Sequence, residues 1–171
     1  MILDYSTSLE PMKIETTRCE LTNLQSTDWD LVVKLYTNAE VRRFLGGSVN
    51  EKTISLRFFK MLESDTETQY WVIQVKENSS AKIGIVSLTP HHDNINIEIS
   101  YQLLPEWWCR GYGTEAVQAV VTHALTVLGL PRVIAETQIA NIASCRLLER
   151  IGMRLERTIE RFGAKQGIFT T

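Results

Sequence analysis

The stretch Pro105-Glu106-Trp107-Trp108-Cys109-Arg110-Gly111-Tyr112-Gly113-Thr114-Glu115-Ala116 decides how the rest of the chain is read. It stands between a β-rich run and a long helical pattern, so its glycines fall where a strand gives way to a helix N-terminus. Backbone N–H groups converge on an anion at such a place. Glycine permits φ > 0 and close approach, and the helix dipole favours negative charge by about 0.3–2 kcal/mol. Arg110 adds a formal positive charge, which makes a pyrophosphate the natural ligand. Gly111-x-Gly113-x-x-Ala116 also satisfies a dinucleotide fingerprint, with Glu136 downstream as ribose acid. However, Pro105 to Arg110 separates the strand from the first glycine, and too little chain follows Glu136 for a doubly wound sheet. A Walker A loop fails for want of Gly-Lys-Ser/Thr. A glycine turn without a ligand is the remaining reading.

Upstream of this loop, Tyr70 to Lys76, Lys82 to Thr89 and Ile95 to Leu104 read as three strands joined by polar turns, an antiparallel meander. In the third, Ile95, Ile97, Ile99 and Tyr101 alternate with Asn96, Glu98, Ser100 and Gln102, so Glu98 faces away from the isoleucines. Further upstream, Lys13 to Thr22 is a first strand. Thr27-Asp28 then caps a helix with Trp29, Val32, Val33 and Tyr36 on its buried side. Asn38 caps a short second helix with Val41, Phe44 and Leu45, ended by Gly46-Gly47. Ser48 to Asn50 opens a third with Ile54, Phe58, Phe59, Met61 and Leu62. Residues 1 to 11 read as a loose leader.

Downstream, Thr114 to Leu128 is a helix whose Ala116, Val117, Val120, Val121, Ala124, Leu125 and Leu128 form a core stripe, with Gly129 as its stop. Arg132 to Gln138 is a strand. Asn141 caps a helix through Arg150, and Met153 to Phe162 is the last strand. The order predicts a mixed α/β fold: a central, mostly antiparallel twisted sheet with one parallel crossover, flanked by helices, in a single domain over residues 1–171.

Composition narrows the function. The 171 residues are 44% hydrophobic and 22% charged, which excludes collagen-like and disordered classes, and no apolar run reaches the length of a membrane span. The formal net charge of −2 argues against a non-specific nucleic-acid binder. Its distribution is uneven: residues 1–130 carry 11 Lys+Arg against 16 Asp+Glu, and residues 131–171 carry 7 against 4, so an anion is expected near the C-terminal part. Three unpaired cysteines and no visible secretory leader predict a cytoplasmic protein with free thiols. His91-His92-Asp93 reads as a solvated turn without a metal, and His123 as a partly exposed helical residue. Arg154, Arg157 and Arg161 give a basic outer face paired with Glu156 and Glu160.

Several ordered motifs together resemble the GNAT superfamily of acetyl-CoA-dependent N-acetyltransferases. These are Ile97-Glu98-Ile99-Ser100-Tyr101, Trp107 to Ala116, Asn141-x-x-Ser144 and Leu148-Glu149-Arg150-Ile151-Gly152-Met153. The similarity is greatest to the branch with the ribosomal-protein N-terminal (alanine) acetyltransferases, which Ile14 to Arg18, Asn38 to Val41 and Leu45 to Gly47 also fit. The resemblance spans about residues 13 to 162. It implies a sheet splayed at a wedge for the pantetheine arm, with the pyrophosphate held by Arg110, Gly111, Tyr112, Gly113 and Thr114. It implies backbone groups of Leu103 and Leu104 facing pantetheine and Asn141 contacting the cofactor. Charge and position add Arg146 or Arg150 near a CoA phosphate.

Acetyl transfer to an amine needs a neutral nucleophile and a proton for the departing thiolate. An α-amino group of pKa about 7.7–8 is roughly 10% neutral at pH 7, whereas Lys at about 10.4 is below about 0.1%. Glu98 is the expected base and Ser144 the expected acid or thiolate-side donor. Tyr101 and Tyr112 are alternative phenolic donors, and Tyr101 and Trp107 the expected substrate-positioning residues. The leading acceptor is a protein N-terminus. A small amine, polyamine or aminoglycoside is the alternative, and a catalytically silent CoA-binding module the reading from another class. The chain departs from the superfamily pattern in carrying Trp108 where a Gln or Arg is usual. It also has Cys109 where Gly is common, and a short C-terminal stretch that leaves the acceptor pocket open or completed by a second subunit in a homodimer.

Overall fold

In this computed structural model the described residues are 13–63, 65 and 67–171; the leader expected over residues 1 to 11 lies outside them. Period-2 alternation builds the sheet. Trp71 and Ile73 turn to one face and Val72 to the other, as do Val86 against Ile85 and Leu103 against Leu104, so each strand feeds two cores. The elements run β1 (Ile14–Glu15), β2 (Cys19–Asn23), α1 (Trp29–Thr37), α2 (Ala39–Arg42), α3 (Glu51–Leu62), β3 (Gln69–Val75), β4 (Asn78–Pro90), β5 (Ile97–Leu103), α4 (Tyr112–Thr126), β6 (Ile134–Gln138), α5 (Ile142–Arg150), β7 (Arg154–Arg161) and β8 (Ala164–Thr170).

The strands form one eight-stranded sheet in the order β1-β2-β3-β4-β5-β6-β8-β7. Every pairing is antiparallel except β5 with β6, the crossover through α4. On one face Val117, Val120, Val121 and Ala124 of α4 and Leu148 of α5 pack on Trp71, Ile73, Ile83, Val86, Ile99 and Leu103. On the other, Leu31, Val32 and Leu35 of α1 and Ile54 and Phe58 of α3 pack on Val72, Ile85 and Leu104. Each fully buried Val, Leu, Ile or Phe side chain here contributes about 1.5–3 kcal/mol of transfer free energy.

Three sequence expectations need correction. The first strand is two short ones: Thr16 N–H donates to the carbonyl of Cys19 and Thr16 Oγ1 accepts from the Cys19 N–H, folding residues 16–19 into a turn. The long helix begins at Tyr112 rather than Thr114, because Gly111 at φ +82 serves as its N-cap. The chain also does not trail away after Phe162. Phe162 (φ 55) and Gly163 (φ 72) make a two-residue turn with both φ positive, and β8 returns between β6 and β7. Phenylalanine at the first turn position concealed that hairpin, since Asn or Gly is the usual signal there.

Candidate active site

The parallel seam between β5 and β6 carries one register pair, Glu98 opposite Ile134, whereas β6 and β8 are paired over five. The N–H of Leu104 donates to the carbonyl of Ile83 at 2.9 Å, which fixes the pleat: even-numbered residues of β5 bond β4, and the backbone groups of Tyr101 and Leu103 turn toward β6. A continued ladder would carry the N–H of Glu136 to the carbonyl of Ile99. Instead that N–H lies 3.4 Å from Glu98 Oε1. Glu98 therefore stands at the fork where the strands part, and beyond it the backbone of Tyr101 and the N–H of Leu103 face the gap. The Leu103 carbonyl accepts from the Trp108 indole at 2.8 Å.

Burial raises the pKa of Glu98 above the ordinary 4.5. The imidazole of His91 and the Glu136 N–H work against that rise, and the Glu136 charge adds to it. Beside it, Glu136 Oε2 is 2.8 Å from both His91 Nε2 and Arg161 Nη1, and His91 Nδ1 is 3.1 Å from Asp93 Oδ2. The expected solvated histidine turn is thus corrected for His91, which is 2% exposed; His92 is exposed. Arg161 likewise joins Glu136 rather than Glu156 or Glu160. Arg157 and Arg132 are the partners of Glu156. Asp93, accepting from Asn96 and Ile95, is held well below the usual carboxylate range even though burial alone would raise it.

On the opposite face of β5, where parity places odd residues, the Tyr101 hydroxyl is 2.7 Å from Ser144 Oγ. Burial pushes the Tyr101 phenol up to about 12, so it keeps its proton at neutral pH. Asn141 Oδ1 accepts from the Ser144 N–H at 3.2 Å, capping α5 and fixing where the hydroxyl stands. Arg146 and Arg150, further along α5, are exposed.

At the open end of the fork, α4 presents its N-terminus with no side-chain cap at Gly111. The first bond of the helix is Glu115 N–H to the Gly111 carbonyl, so the N–H groups of Tyr112, Gly113 and Thr114 point out of the helix end. Gly113 packs closely enough that an added Cβ would meet Leu147 Cδ1 at 3.2 Å. Arg110 and Cys109 are exposed, with Arg110 over the Trp107 ring at 5.6 Å. Trp107 meets Tyr112 edge-on at 5.4 Å and packs against the cores on both faces of the sheet. Leu104 departs from expectation: its N–H is bonded to Ile83 and its carbonyl to Trp107 N–H, so its backbone is already committed.

Sequence reading missed three groups here, two of them because their partners are distant in the chain. Arg18, Thr16 and Glu115 lock the loop to the first strands: Thr16 Oγ1 and Arg18 N–H donate to Glu115 Oε1 at 2.6 and 2.7 Å, and Arg18 Nε to Glu115 Oε2 at 2.7 Å. Gln138 Nε2 donates to the Phe44 carbonyl at 3.1 Å, tying β6 to the turn after α2. That turn is itself held by the buried Arg42 guanidinium on the carbonyls of Leu45 and Gly47. Nothing local in the sequence marks any of these pairs.

The residues fit a CoA-type ligand: an uncapped helix N-terminus for phosphate oxygens, and outward-facing backbone at Tyr101 and Leu103 for amide groups of a pantetheine arm. On the Glu98 face, Gln102 Oε1 and Glu136 Oε1 are buried oxygens with no donor among the described residues. Among the described residues no group of three His, Cys, Asp or Glu is placed to hold a metal ion, and no helix is long and apolar enough to cross a membrane.

Comparison with known proteins agrees with this geometry. Residues 18–154 match the acetyltransferase (GNAT) domain family. The chain is 27% identical over 160 residues to the uncharacterized N-acetyltransferase YoaA of Bacillus subtilis, covering 90% of this chain and 89% of that protein. Among solved structures, the ribosomal L7/L12 α-N-protein acetyltransferase RimL superposes with a TM-score of 0.79 at 16% identity, covering 94% of each chain. The spermidine N-acetyltransferase of Vibrio cholerae, solved with CoA and spermine, superposes with a TM-score of 0.78 at 15% identity, covering 91% of this chain and 95% of that one. The dinucleotide fingerprint is thereby set aside: the sheet is mostly antiparallel, and Glu136 is engaged by His91 and Arg161.

Proposed function

The chain belongs to the GNAT acetyltransferase family and is an acetyl-CoA-dependent N-acetyltransferase, and from that premise we propose that it acetylates a peptide or protein N-terminal α-amine by direct attack, with Glu98 as base. The single observation that carries this reading is the fork. A carboxylate of raised pKa closes it on one face of β5, and the Tyr101–Ser144 hydroxyl pair lies on the other.

Acetyl-CoA supplies the thioester carbon that the amine attacks. The residues Arg110, Gly111, Tyr112, Gly113 and Thr114 would hold its pyrophosphate, and the backbone of Tyr101 and Leu103 its pantetheine arm. Glu98 takes the ammonium proton, directly or through one water. Its raised pKa narrows the gap to an α-amine near 7.7–8, which lowers the cost of the transfer relative to a lysine side chain near 10.4. On the opposite face Tyr101 is protonated at neutral pH, and with its proton directed to Ser144 Oγ the Ser144 hydroxyl proton would be free for the departing thiolate.

The test is steady-state turnover with acetyl-CoA against short peptides with free N-termini, spermidine, and the same peptides blocked at the N-terminus but carrying lysine. Turnover confined to free N-termini is expected. A preference for spermidine would reassign the acceptor, and turnover of none of them alongside intact acetyl-CoA binding would favour a silent CoA-binding module.

A further inference from the structure

We propose that Arg18, outside the glycine loop and about ninety residues before it in the chain, is a positioning and charge-balancing residue for the pyrophosphate seat. This rests on the reading of Arg110 to Thr114 as that seat.

The position three residues before Gly111 is Trp108, which brings no charge to the loop. Its indole is turned inward onto the Leu103 carbonyl. Arg18 approaches the same loop from the other side. Its Nε meets Glu115 Oε2 at 2.7 Å, its Nη1 donates to the Arg110 carbonyl at 2.9 Å, and its guanidinium lies over the Tyr112 ring at 4.4 Å. Nη2 has no hydrogen-bond partner among the described residues. A Cβ added at Gly111 would stand 3.1 Å from it, so this edge of the guanidinium lies against the N-cap itself. The side chain is 40% exposed, which leaves that edge open to a ligand.

Glu115 explains why the pairing matters. A carboxylate in the first turn of α4 stabilises the helix but opposes an anion arriving at the same helix end. Partial burial alone would raise its pKa. The hydrogen bonds from Thr16 and Arg18 instead hold it below the ordinary 4.5, so it is ionised at neutral pH. Arg18 cancels that charge, holds the Arg110 carbonyl, and retains one N–H edge without a partner among the described residues. Removing Arg18 therefore both withdraws a cation and bares a carboxylate, whereas removing Glu115 as well takes away the repulsion.

The experiment compares acetyl-CoA with S-acetylpantetheine, which lacks the phosphates, by calorimetry on the wild type, Arg18→Ala, Arg18→Lys and Arg18→Ala/Glu115→Ala, with Gly111→Val as control. Arg18→Ala is expected to weaken acetyl-CoA by roughly tenfold to a hundredfold, the scale of charged hydrogen bonds, and to leave S-acetylpantetheine unchanged. Arg18→Lys should lose less, and the double variant should recover part of the loss. Arg18→Ala with wild-type affinity for acetyl-CoA overturns the proposal, as does an equal loss for both donors or a double variant no better than the single. If Arg18→Ala does not fold, as judged by its melting curve, the Arg18→Lys ratio between the two donors decides by the same criterion. Should Gly111→Val bind acetyl-CoA normally, the reading of the loop itself falls. If Gly111→Val fails to bind while Arg18→Ala binds normally, Arg18 alone is removed.

Discussion

The two ends of the β5–β6 seam are built from opposite materials. At the end where the strands meet, Glu98 pairs with Ile134 beside a charged network in which Glu136 Oε2 meets His91 and Arg161 and His91 meets Asp93. At the end where they part, the backbone of Tyr101, the N–H of Leu103 and the N–H groups at the start of α4 face the gap, and Trp108, Cys109 and Arg110 beside them are exposed. Buried polar groups without partners are costly, so the closed end is where fold stability is concentrated. The open end keeps unmatched donors at the surface, where solvent satisfies them until a ligand does. Glu98 belongs to both: it is the last group of the ladder and the first of the cleft.

This contrast is broken or sharpened by substitutions that separate activity from stability. The largest effect is expected for Glu98→Gln, which should lower kcat by about a hundredfold to ten-thousandfold with acetyl-CoA binding retained. In the wild type, activity should fall as pH drops through a Glu98 pKa above the ordinary 4.5, and that acidic limb should vanish in the variant. Unchanged turnover would remove Glu98 from the chemistry.

At the closed end, Glu136→Gln leaves Arg161 and His91 without their carboxylate, and a loss of about 3–5 kcal/mol is expected in denaturant unfolding. Calorimetric binding of acetyl-CoA should be unaffected; a specific loss of that affinity would show that the two ends are coupled. Ser144→Ala, at the face opposite Glu98, should slow turnover by roughly tenfold at most if Tyr101 can donate in its place, and Tyr101→Phe/Ser144→Ala by more than the product of the singles. Additive losses in rapid-quench kinetics would argue against a shared proton path.

The smallest expected effect is on stability from Glu115→Gln, about 1–3 kcal/mol from hydrogen bonds to a charged group. Because the folded pKa of Glu115 is lowered, its contribution is present above the ordinary 4.5 and is lost as pH falls through the folded value. The melting difference between wild type and variant should therefore be full at pH 7 and shrink in acid. A constant difference across pH would assign the effect to packing.

Sequence by itself determined the elements with strong local signals: the α4 stripe from Ala116 to Ala124, the Asn38 and Asn141 caps, the meander of β3 to β5, and the parity that sets Glu98 against Ile99 and Tyr101. Each depends on a period of 2 or 3.6, or on a side chain reaching two or three residues along its own backbone. It also determined the glycine loop and its helix, because a positive φ at Gly111 is a property of that residue. Only the tertiary structure decided which distant groups meet. Arg18 with Glu115, His91 with Glu136, Gln138 with the Phe44 carbonyl, and the insertion of β8 between β6 and β7 join residues separated by tens of positions. Such pairings depend on how the sheet twists and where β5 and β6 part, and no local period encodes that.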